Sequence, residues 1–359
     1  MQKLRPKKIR ENDCFMNSYQ SLLSNYSGRP LRIMEVCGTH THEIFRLGIR
    51  SILSKNIELI SGPGCPVCVT PPGYIDSAVE LALKHNVVIA TFGDLIRVPG
   101  SEMSLAQART QGAIIKTVYS PLDAVEFAEK NPGKEVVFLA VGFETTTPSA
   151  CIAVKHAAAK DLKNFAILTA NKTMPQAYKA LRVSADAFLY PGHVHAIIGT
   201  GLCEDLKNHY GVSGVVAGFT AEDVIKALGM IVEYSLKKEP FCDNAYKQVV
   251  KAEGNIAAQK LVNNMMEPCD CVWRGLGIIE KSGLKLRREW SSFDAVEKFS
   301  LVPGDGKCNP GCRCGDVLKG LCKPGDCPLF GKVCTPLNPV GACMVSGEGA
   351  CSAFYQYGQ

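Results

Sequence analysis

The sequence predicts an α/β fold with two similar parallel-sheet α/β domains, followed by a small cysteine-rich domain. Between about residues 30 and 230, short apolar runs rich in β-branched residues alternate with amphipathic stretches, which is typical of parallel strands joined by helices. After about residue 240 this alternation fades, and glycine, proline and eight cysteines dominate from Cys308 to Gln359. Such a segment buries too little apolar surface to fold without a metal or a cross-link.

Each element follows from a local pattern. The runs predicted as strands are Leu31–Val36, Ile57–Ile60, Val87–Thr91, Glu135–Val141, Phe165–Thr169, Ala187–Tyr190 and Val215–Ala217. The predicted helices are Tyr74–Lys84, Pro121–Glu129, Thr147–Lys160, Pro175–Arg182 and Ala196–His209, with a weaker helical signal through Asn244–Met266. A further helix begins near Ala221, where Thr220 is the expected N-cap and Asp223 adds favourable charge to the first turn.

The turn cluster Asn131-Pro132-Gly133-Lys134 is the best domain boundary within the alternating region. It divides a first α/β domain, residues 30–133, from a second, residues 134–235. Residues 236–359 form the predicted cysteine-rich domain, and residues 1–29 are expected to pack on it.

Composition and motif searches exclude several functional classes. The net charge is only +6 and no dense basic stripe occurs, which argues against a nucleic-acid binder. There is no GxxxxGK[ST] motif, no GxGxxG after a strand and no GxSxG elbow. We expect no secretory signal and no membrane span, because no long apolar run occurs. A cytoplasmic protein with seventeen cysteines is then expected to use them for metal or thiol chemistry.

Cys37 lies at the end of the first predicted strand, in the run Glu35-Val36-Cys37-Gly38-Thr39-His40. Open parallel sheets bind ligands at such strand ends. Backbone N–H groups and the N-terminus of the next helix can lower a thiol pKa from about 8.5 to between roughly 3.5 and 7.5. The motif alone is equally compatible with a buried strand-end cysteine beside a helix-capping Thr39.

Cys65 and Cys68 follow the second predicted strand, in the loop Ser61-Gly62-Pro63-Gly64-Cys65-Pro66-Val67-Cys68. Two cysteines separated by two residues can chelate a metal or close a small disulfide ring. The glycine and proline residues before them indicate a shaped loop rather than a core segment. This loop is therefore a candidate thiol site.

Glu144 and His193 follow strands predicted for the second domain, in Gly142-Phe143-Glu144-Thr145-Thr146 and Pro191-Gly192-His193-Val194-His195. They are candidates to face the same crevice as the cysteines of the first domain. There they could donate or accept protons, or hold a bound group by hydrogen bonds. Helix caps and a satisfied histidine explain the same residues equally well.

The tail cysteines are Cys308, Cys312, Cys314, Cys322, Cys327, Cys334, Cys343 and Cys351. Their broad, irregular spacing differs from the close pairs of a structural zinc site and suits a [4Fe–4S] cluster, in which each thiolate binds one corner iron. The predicted ligands are Cys314, Cys327, Cys334 and Cys351, with Cys312 and Cys343 as substitutes. The remaining cysteines are expected to be small buried hydrophobic residues: Cys14, Cys151, Cys203, Cys242, Cys269 and Cys271.

Taken together and in this order, the four loop motifs and the cysteine-rich tail resemble the hydrogenase maturation factor HypD family over essentially the whole chain. His195 departs from the serine expected in the family's fourth motif, which puts one local hydrogen bond in doubt. The resemblance implies a scaffold on which iron receives cyanide and carbon monoxide, giving an Fe(CN)₂CO group for [NiFe]-hydrogenase. It also implies a small chaperone, HypC, and the cyanide donor HypE, which is supplied by HypF.

By the same resemblance, Cys37 is the main iron ligand, and Cys65 and Cys68 are a redox-active pair that supplies electrons or further ligation. His40, Glu144 and His193 complete the expected site, and the tail is expected to hold the [4Fe–4S] cluster. Two other functions stay open on the residues alone. One is an iron–sulfur thiol–disulfide reductase, and the other is a zinc-stabilised interaction module without a redox role.

Overall fold

A computed structural model describes residues 17–358 and confirms a mixed α/β fold with two parallel sheets. The first sheet has the strand order β2-β1-β7-β8-β9, and the second has the order β4-β3-β5-β6. Their strands are β1 (Leu31–Glu35), β2 (Ile57–Ser61), β3 (Val88–Thr91), β4 (Ile115–Thr117), β5 (Val136–Ala140), β6 (Phe165–Thr169), β7 (Ala187–Pro191), β8 (Gly214–Ala217) and β9 (Cys242–Asn244). All seven predicted strands are confirmed, while the short edge strands β4 and β9 were not predicted.

Helices cover the sheets and connect successive strands. The first helical segment, α1, spans residues 17–25. It is followed by α2 (Gly38–Arg46), α3 (Pro72–Lys84), α4 (Leu105–Thr110), α5 (Pro121–Lys130), α6 (Thr147–Ala159), α7 (Met174–Leu181), α8 (Gly192–Ile198), α9 (Gly201–Tyr210), α10 (Ala221–Ser235), α11 (Ile256–Met265), α12 (Ala295–Lys298), α13 (Cys314–Leu318) and α14 (Ala350–Tyr357). The predicted single helix Ala196–His209 is interrupted at Gly199 and Thr200.

The strands form where the sequence is apolar on both faces. Val136–Ala140 is buried at every position, and Ala187–Pro191 likewise. Parallel sheets covered on both sides require such continuous apolar runs. Capping is also local, since the Thr220 side chain accepts a hydrogen bond from the Asp223 backbone at the start of α10, as predicted.

The pairing of strands crosses the predicted domain boundary, which therefore needs correction. β3 pairs with β5 in the second sheet, and β1 pairs with β7 in the first. The turn at residues 131–134 thus lies inside the second sheet, whose four strands come from residues 88–169. The first sheet combines residues 31–61 with residues 187–244. A sequence pattern identifies strands but carries no information about which of them pair, and this is why a contiguous division failed.

The described part of the N-terminal segment packs on the first sheet rather than on the cysteine-rich region. Leu23 and Tyr26 are buried in the core formed by β1, β2 and α10. Tyr19 lies against Gly229 of α10, where a Cβ atom would come within 2.2 Å of the tyrosine ring. The expected packing of residues 1–29 is thus corrected for residues 17–29. Residues 1–16, with Cys14, lie outside the described residues.

The region after residue 240 contains more regular structure than its sequence indicates. An antiparallel hairpin joins β10 (Met266–Trp273) to β11 (Gly277–Leu286), with a bulge between Cys269 and Cys271. Trp273 is fully buried in the core that also contains Cys65 and Cys68. The tail then returns to the first sheet, where α14 contacts α2. In the range 17–358 there is no helix long and apolar enough to cross a membrane.

Candidate functional site

The carboxyl ends of the first sheet gather four loops along one edge. β2, β1, β7 and β8 are neighbours in that order, so the loops that follow them lie side by side. These loops carry Cys65 and Cys68, then Cys37, then His193, then Phe219. His193 therefore belongs to the same sheet as the cysteines, although the sequence suggested that it follows a strand of a second domain.

Cys37 is the N-cap residue of α2 and is 8% exposed. The Gly38 N–H donates to the Gly64 carbonyl at 3.0 Å, which ties the Cys37 loop to the loop carrying Cys65. A Cβ atom on Gly64 would lie within 2.4 Å of the Cys37 backbone. Glycine is therefore required at Gly64 because the two cysteine loops are in backbone contact.

The expected low thiol pKa at Cys37 is wrong. Burial raises the pKa of Cys37 to about 11, and the N–H groups of His40 and Thr39 oppose this only in part. Desolvation of the thiolate thus outweighs the N-terminus of α2. Cys37 is a neutral thiol near pH 7, and a soft metal ion would have to displace its proton on binding.

Cys65 and Cys68 are both buried and neither forms a disulfide. The Cys68 backbone N–H donates to the Cys65 sulfur at 3.4 Å, as expected for a tight turn. The hydrogen bond with Cys65 raises the pKa of Cys68 well above its ordinary value, and burial adds to this rise. The two thiols therefore lie against each other, in a loop that contacts the Cys37 backbone through Gly64.

A buried ion pair fixes the base of this site. Glu35, at the end of β1, is fully buried and accepts from Arg50 and from the Thr41 hydroxyl, the latter at 2.8 Å. Ser61 at the end of β2 donates to the same carboxylate at 3.3 Å. These bonds link β1, β2 and α2 immediately below Cys37. These bonds satisfy the Glu35 carboxylate, and this explains how a glutamate can be buried just before the cysteine motif although glutamate is rarely buried.

His40 and His193 lie on either side of the Phe219 ring. Ring centroids are 4.7 Å apart for His40 and Phe219, and 3.9 Å apart for His193 and Phe219. Burial lowers the pKa of His40 to about 4, so it is neutral, and its Nε2 lies 2.8 Å from the Gly218 carbonyl. With Nε2 donating, Nδ1 is a buried acceptor that has no hydrogen-bond partner within residues 17–358. His193 is more exposed, and partial burial lowers its pKa.

Glu144 comes from the second sheet, at the loop after β5. Its Oε1 accepts from the Met174 N–H at 2.8 Å, while its buried Oε2 has no partner among the described residues. Burial raises the pKa of Glu144 to about 7. Burial raises the pKa of Tyr178, and the charges of Cys203 and Glu144 add to this rise. Its buried hydroxyl has no hydrogen-bond partner among the described residues, and sequence analysis did not single this tyrosine out.

Glu348 is a second residue that sequence analysis missed. Its Oε1 accepts from the Thr39 hydroxyl at 2.7 Å, and its Cβ lies 2.5 Å from where a Cβ on Gly38 would stand. Its charge acts on both Cys37 and His193. The tail therefore covers the Cys37 loop with a carboxylate. The only signal available beforehand was that Glu348 lies between two glycines in the segment Ser346–Gly349.

Six tail cysteines line one small cavity: Cys312, Cys314, Cys327, Cys334, Cys343 and Cys351. Cys314 and Cys343 are bonded as a disulfide, and the other four are free thiols. Burial raises the pKa of Cys312 and that of Cys351. Within residues 17–358 no three or more His, Cys, Asp or Glu side chains are arranged around a single metal ion. Cys308 is exposed and Cys322 half-buried, and neither lines this cavity.

The disulfide lies next to the dithiol loop. The Cys68 thiol donates to the carbonyl of Ala342, the residue before Cys343, at 3.8 Å. Cys65, Cys68, Cys314 and Cys343 belong to the same buried core. The structure thus brings the tail cavity, the disulfide, the dithiol and Cys37 into one continuous region.

The other cysteines divide into two groups. Cys151 and Cys203 are fully buried, as predicted, whereas Cys242, Cys269 and Cys271 are partly exposed. His195 stands where a serine was expected in the fourth motif. It makes a hydrogen bond of its own, because its Nδ1 lies 2.7 Å from the Gly199 carbonyl.

Comparison with known proteins identifies the family of this chain. The family model HypD, described as "Hydrogenase formation hypA family", matches residues 14–358. The chain belongs to the HypD family. It is 44% identical to the hydrogenase maturation factor HypD of Escherichia coli, covering 94% of this chain and 92% of that protein.

Two further relatives have similar coverage. The Rhodobacter capsulatus hydrogenase maturation factor HypD is 43% identical, over 92% of this chain and 90% of its own length. The hydrogenase expression/formation protein HupD of Azotobacter chroococcum is 42% identical with the same shares. The HypD family thus covers the two sheets, the hairpin and the tail together.

Proposed function

We propose that this chain is an iron-carrying scaffold in hydrogenase maturation, with Cys37 as the ligand that it contributes to the iron. The observation that carries this proposal is the position of Cys37. It lies at the end of a parallel strand, backed by the N–H groups of α2 and in backbone contact with the loop of Cys65. A thiolate is a soft ligand suited to iron. The maturation role itself is that of the named relatives.

The cargo in this proposal is iron carrying cyanide and carbon monoxide, an Fe(CN)₂CO group. The helix N–H groups that face Cys37 favour negative charge at this point, both on the thiolate and on cyanide-bearing iron. His193 is partly exposed and can bond an exposed cyanide nitrogen, while neutral His40 supports Phe219 beneath it. Glu144 is poised to hold or release a proton near pH 7.

Cys65 and Cys68 are proposed to supply two electrons. Oxidation of the pair to a disulfide would pass two electrons to the iron-bound group at Cys37 and release two protons, and their adjacent burial beside Cys37 suits this role. The Cys314–Cys343 pair contacts the Cys68 loop through Ala342. Once this pair has itself been reduced to two thiols, it can reduce a Cys65–Cys68 disulfide. Thiol–disulfide exchange between neighbouring pairs then returns electrons to the dithiol.

The free thiols of the tail cavity fit the donor set of a [4Fe–4S] cluster. Because Cys314 is bonded to Cys343, we revise the proposed ligands to Cys312, Cys327, Cys334 and Cys351. A cluster needs one thiolate at each corner rather than several around one ion. Such a cluster supplies single electrons, and these residues would hold it beside the disulfide that accepts them.

The proposed partners follow from the cargo. A small HypC-type chaperone would share the iron, and HypE, supplied by HypF, would donate cyanide. Because Cys37 is 8% exposed, the partner must reach it through the loops at the strand ends. We propose no nucleic-acid or membrane partner.

The test is an infrared spectrum of the anaerobically purified full-length chain, co-expressed with its HypC-type and HypE-type partners. We expect metal-bound cyanide and carbonyl bands in the wild type and in the matched control Cys151→Ala. Cys151 is a buried cysteine of α6 in a different core. The bands should vanish in Cys37→Ala. Bands of unchanged intensity in Cys37→Ala would refute Cys37 as the iron ligand.

A thiol–disulfide reductase is the second candidate, favoured by one observation, the Cys314–Cys343 disulfide next to Cys68. In that function Cys37 would be dispensable. The same Cys37→Ala variant discriminates, because a reductase would keep its turnover of a disulfide substrate and would show no cyanide bands in any variant.

A further inference from the structure

Cys271 in the hairpin after residue 265 contacts a buried lysine, Lys172, and the proposed function uses neither residue. Lys172, just after β6, is 1% exposed. Its Nζ donates to the Cys271 sulfur at 2.9 Å and lies 5.6 Å from the centre of the Trp273 ring. The lysine ion pairs found within residues 17–358 do not include Lys172.

A buried ammonium group without a carboxylate needs another source of negative charge. Among the described residues, the polar side chain in hydrogen-bond contact with this ammonium group is the Cys271 thiol. A neighbouring lysine stabilises a thiolate. The Cys271 thiol also donates to the Val272 carbonyl, in a longer contact of 3.6 Å that is lost when the thiol gives up its proton. Cys271 is also partly exposed, so reagents in solution can reach it.

Cys269 lies next to this pair across the bulge of β10. It is paired with Gly283 of β11. A Cβ atom on Gly283 would stand 3.1 Å from the Cys269 sulfur and 3.2 Å from the Cys271 sulfur. The two sulfurs thus flank one point, and the absence of a side chain at Gly283 leaves room for both. Burial raises the pKa of Cys269 to about 11, and the neighbouring Cys271 adds to this rise.

We propose that Cys271 is a lysine-activated nucleophile and Cys269 its resolving thiol, forming a site that reacts with small disulfides. The Cys271 thiolate attacks one sulfur of the disulfide, forms a mixed disulfide and releases the first thiolate. Cys269 then attacks the Cys271 sulfur, forms the Cys269–Cys271 bond and gives its proton to the second departing thiol. Two protein thiols are oxidised and one disulfide is reduced to two thiols. This site is separate from Cys37 and does not depend on the iron-carrying role.

The first test measures thiol reactivity in the full-length, anaerobically purified chain. A limiting amount of iodoacetamide is added near neutral pH, and alkylation of each cysteine is followed by peptide mass spectrometry. Cys271 should react faster than Cys308, which is the more exposed residue. Lys172→Met should slow Cys271 by roughly tenfold or more. Lys285→Met removes a surface lysine from the same hairpin and should leave the rate unchanged.

The second test uses oxidised glutathione as the disulfide. The wild type should accumulate an intrachain Cys269–Cys271 disulfide, whereas Cys269→Ser should stop at a glutathione adduct on Cys271. A Cys271 that reacts no faster than Cys308 would overturn the proposal, and this comparison needs no variant to fold. An adduct on Cys269 in place of Cys271 would overturn the assigned roles.

Discussion

Several side chains in the site are buried groups whose ionised forms the protein disfavours. Burial raises the pKa of Cys37 to about 11 and that of Glu144 to about 7, and it lowers the pKa of His40 to about 4. Cys37 and His40 are therefore neutral at neutral pH, whereas Glu144 is about half protonated. When a charged iron group binds, it adds its charge to the site, and Cys37 loses its proton to become the ligand.

Glu144 makes the stability of the chain depend on pH. Its pKa is 4.5 in the unfolded reference and about 7 in the folded chain, so the folded state binds this proton more tightly. The resulting stabilisation is complete below about pH 4.5 and is lost as the pH rises through about 7, with a size on the order of 3 kcal/mol. Glu144→Gln retains the acceptor for the Met174 N–H and does not titrate.

Urea unfolding of the wild type and Glu144→Gln at about pH 5 and about pH 8 measures this effect. The stability of the wild type relative to the variant should fall between the two pH values. Equal changes in both proteins would show that the buried carboxyl group does not have a raised pKa.

At the scale of elements, two loops are held together by backbone contact rather than by side chains. The loop after β1 and the loop after β2 meet at Cys37 and Gly64, and the ion pair of Glu35 with Arg50 fixes the strands beneath them. The spacing between Cys37 and the dithiol is thus set by parallel strand pairing from Leu31 to Ser61. A loop held in this way keeps its cysteines in place without a bound metal.

Gly64→Ala should disrupt this contact, because its Cβ would meet Cys37 backbone atoms at 2.2 to 2.4 Å. We expect a loss of about 1–3 kcal/mol in the free energy of unfolding, together with loss of hydrogenase maturation. Gly133→Ala is the matched control, since no atom lies within 4 Å of its Cβ position, and its stability should change by less than about 0.5 kcal/mol. Urea unfolding and hydrogenase activity in a complemented strain measure both. A Gly64→Ala protein as stable and active as the control would argue against the contact.

At the scale of the whole molecule, the chain leaves the first sheet after β2, builds the second sheet, and returns to the first at β7. This path places the loops of β2 and β1 beside the loop of β7, although their sequences are more than a hundred residues apart. The hairpin and the tail then pack across both sheets and bring Glu348 to Cys37. The site is complete only when the entire chain has folded.

A fragment of residues 1–133 should therefore not fold by itself. It lacks β5, to which β3 pairs, and β7, to which β1 pairs. We expect circular dichroism to show little cooperative unfolding for this fragment, in contrast to the full-length chain. A fragment of residues 1–133 with a cooperative transition and dispersed amide resonances would contradict the assigned strand pairing and support the boundary at residues 131–134.

The sequence by itself determined the elements and the residues that carry chemistry. Continuous apolar runs specify buried parallel strands, and Thr220 with Asp223 specifies a helix start, because these signals are local. The cysteine, glutamate and histidine motifs at strand ends likewise identify the family through residues that are read directly. The errors in the predicted elements arise because the prediction used only local patterns. Examples are the edge strand β4, which was missed, and the helix that was predicted to continue without a break through Gly199 and Thr200.

Only the tertiary structure decided which strands are neighbours, and with them the composition of the site. It joined His193 to the sheet of Cys37, brought Glu348 to the Cys37 loop, and paired Cys314 with Cys343. It also reversed the expected pKa of Cys37, because the cost of burying a thiolate depends on everything packed around it. Strand pairing, burial and thiol pairing are contacts between distant parts of the chain, and a local pattern of residues does not contain them.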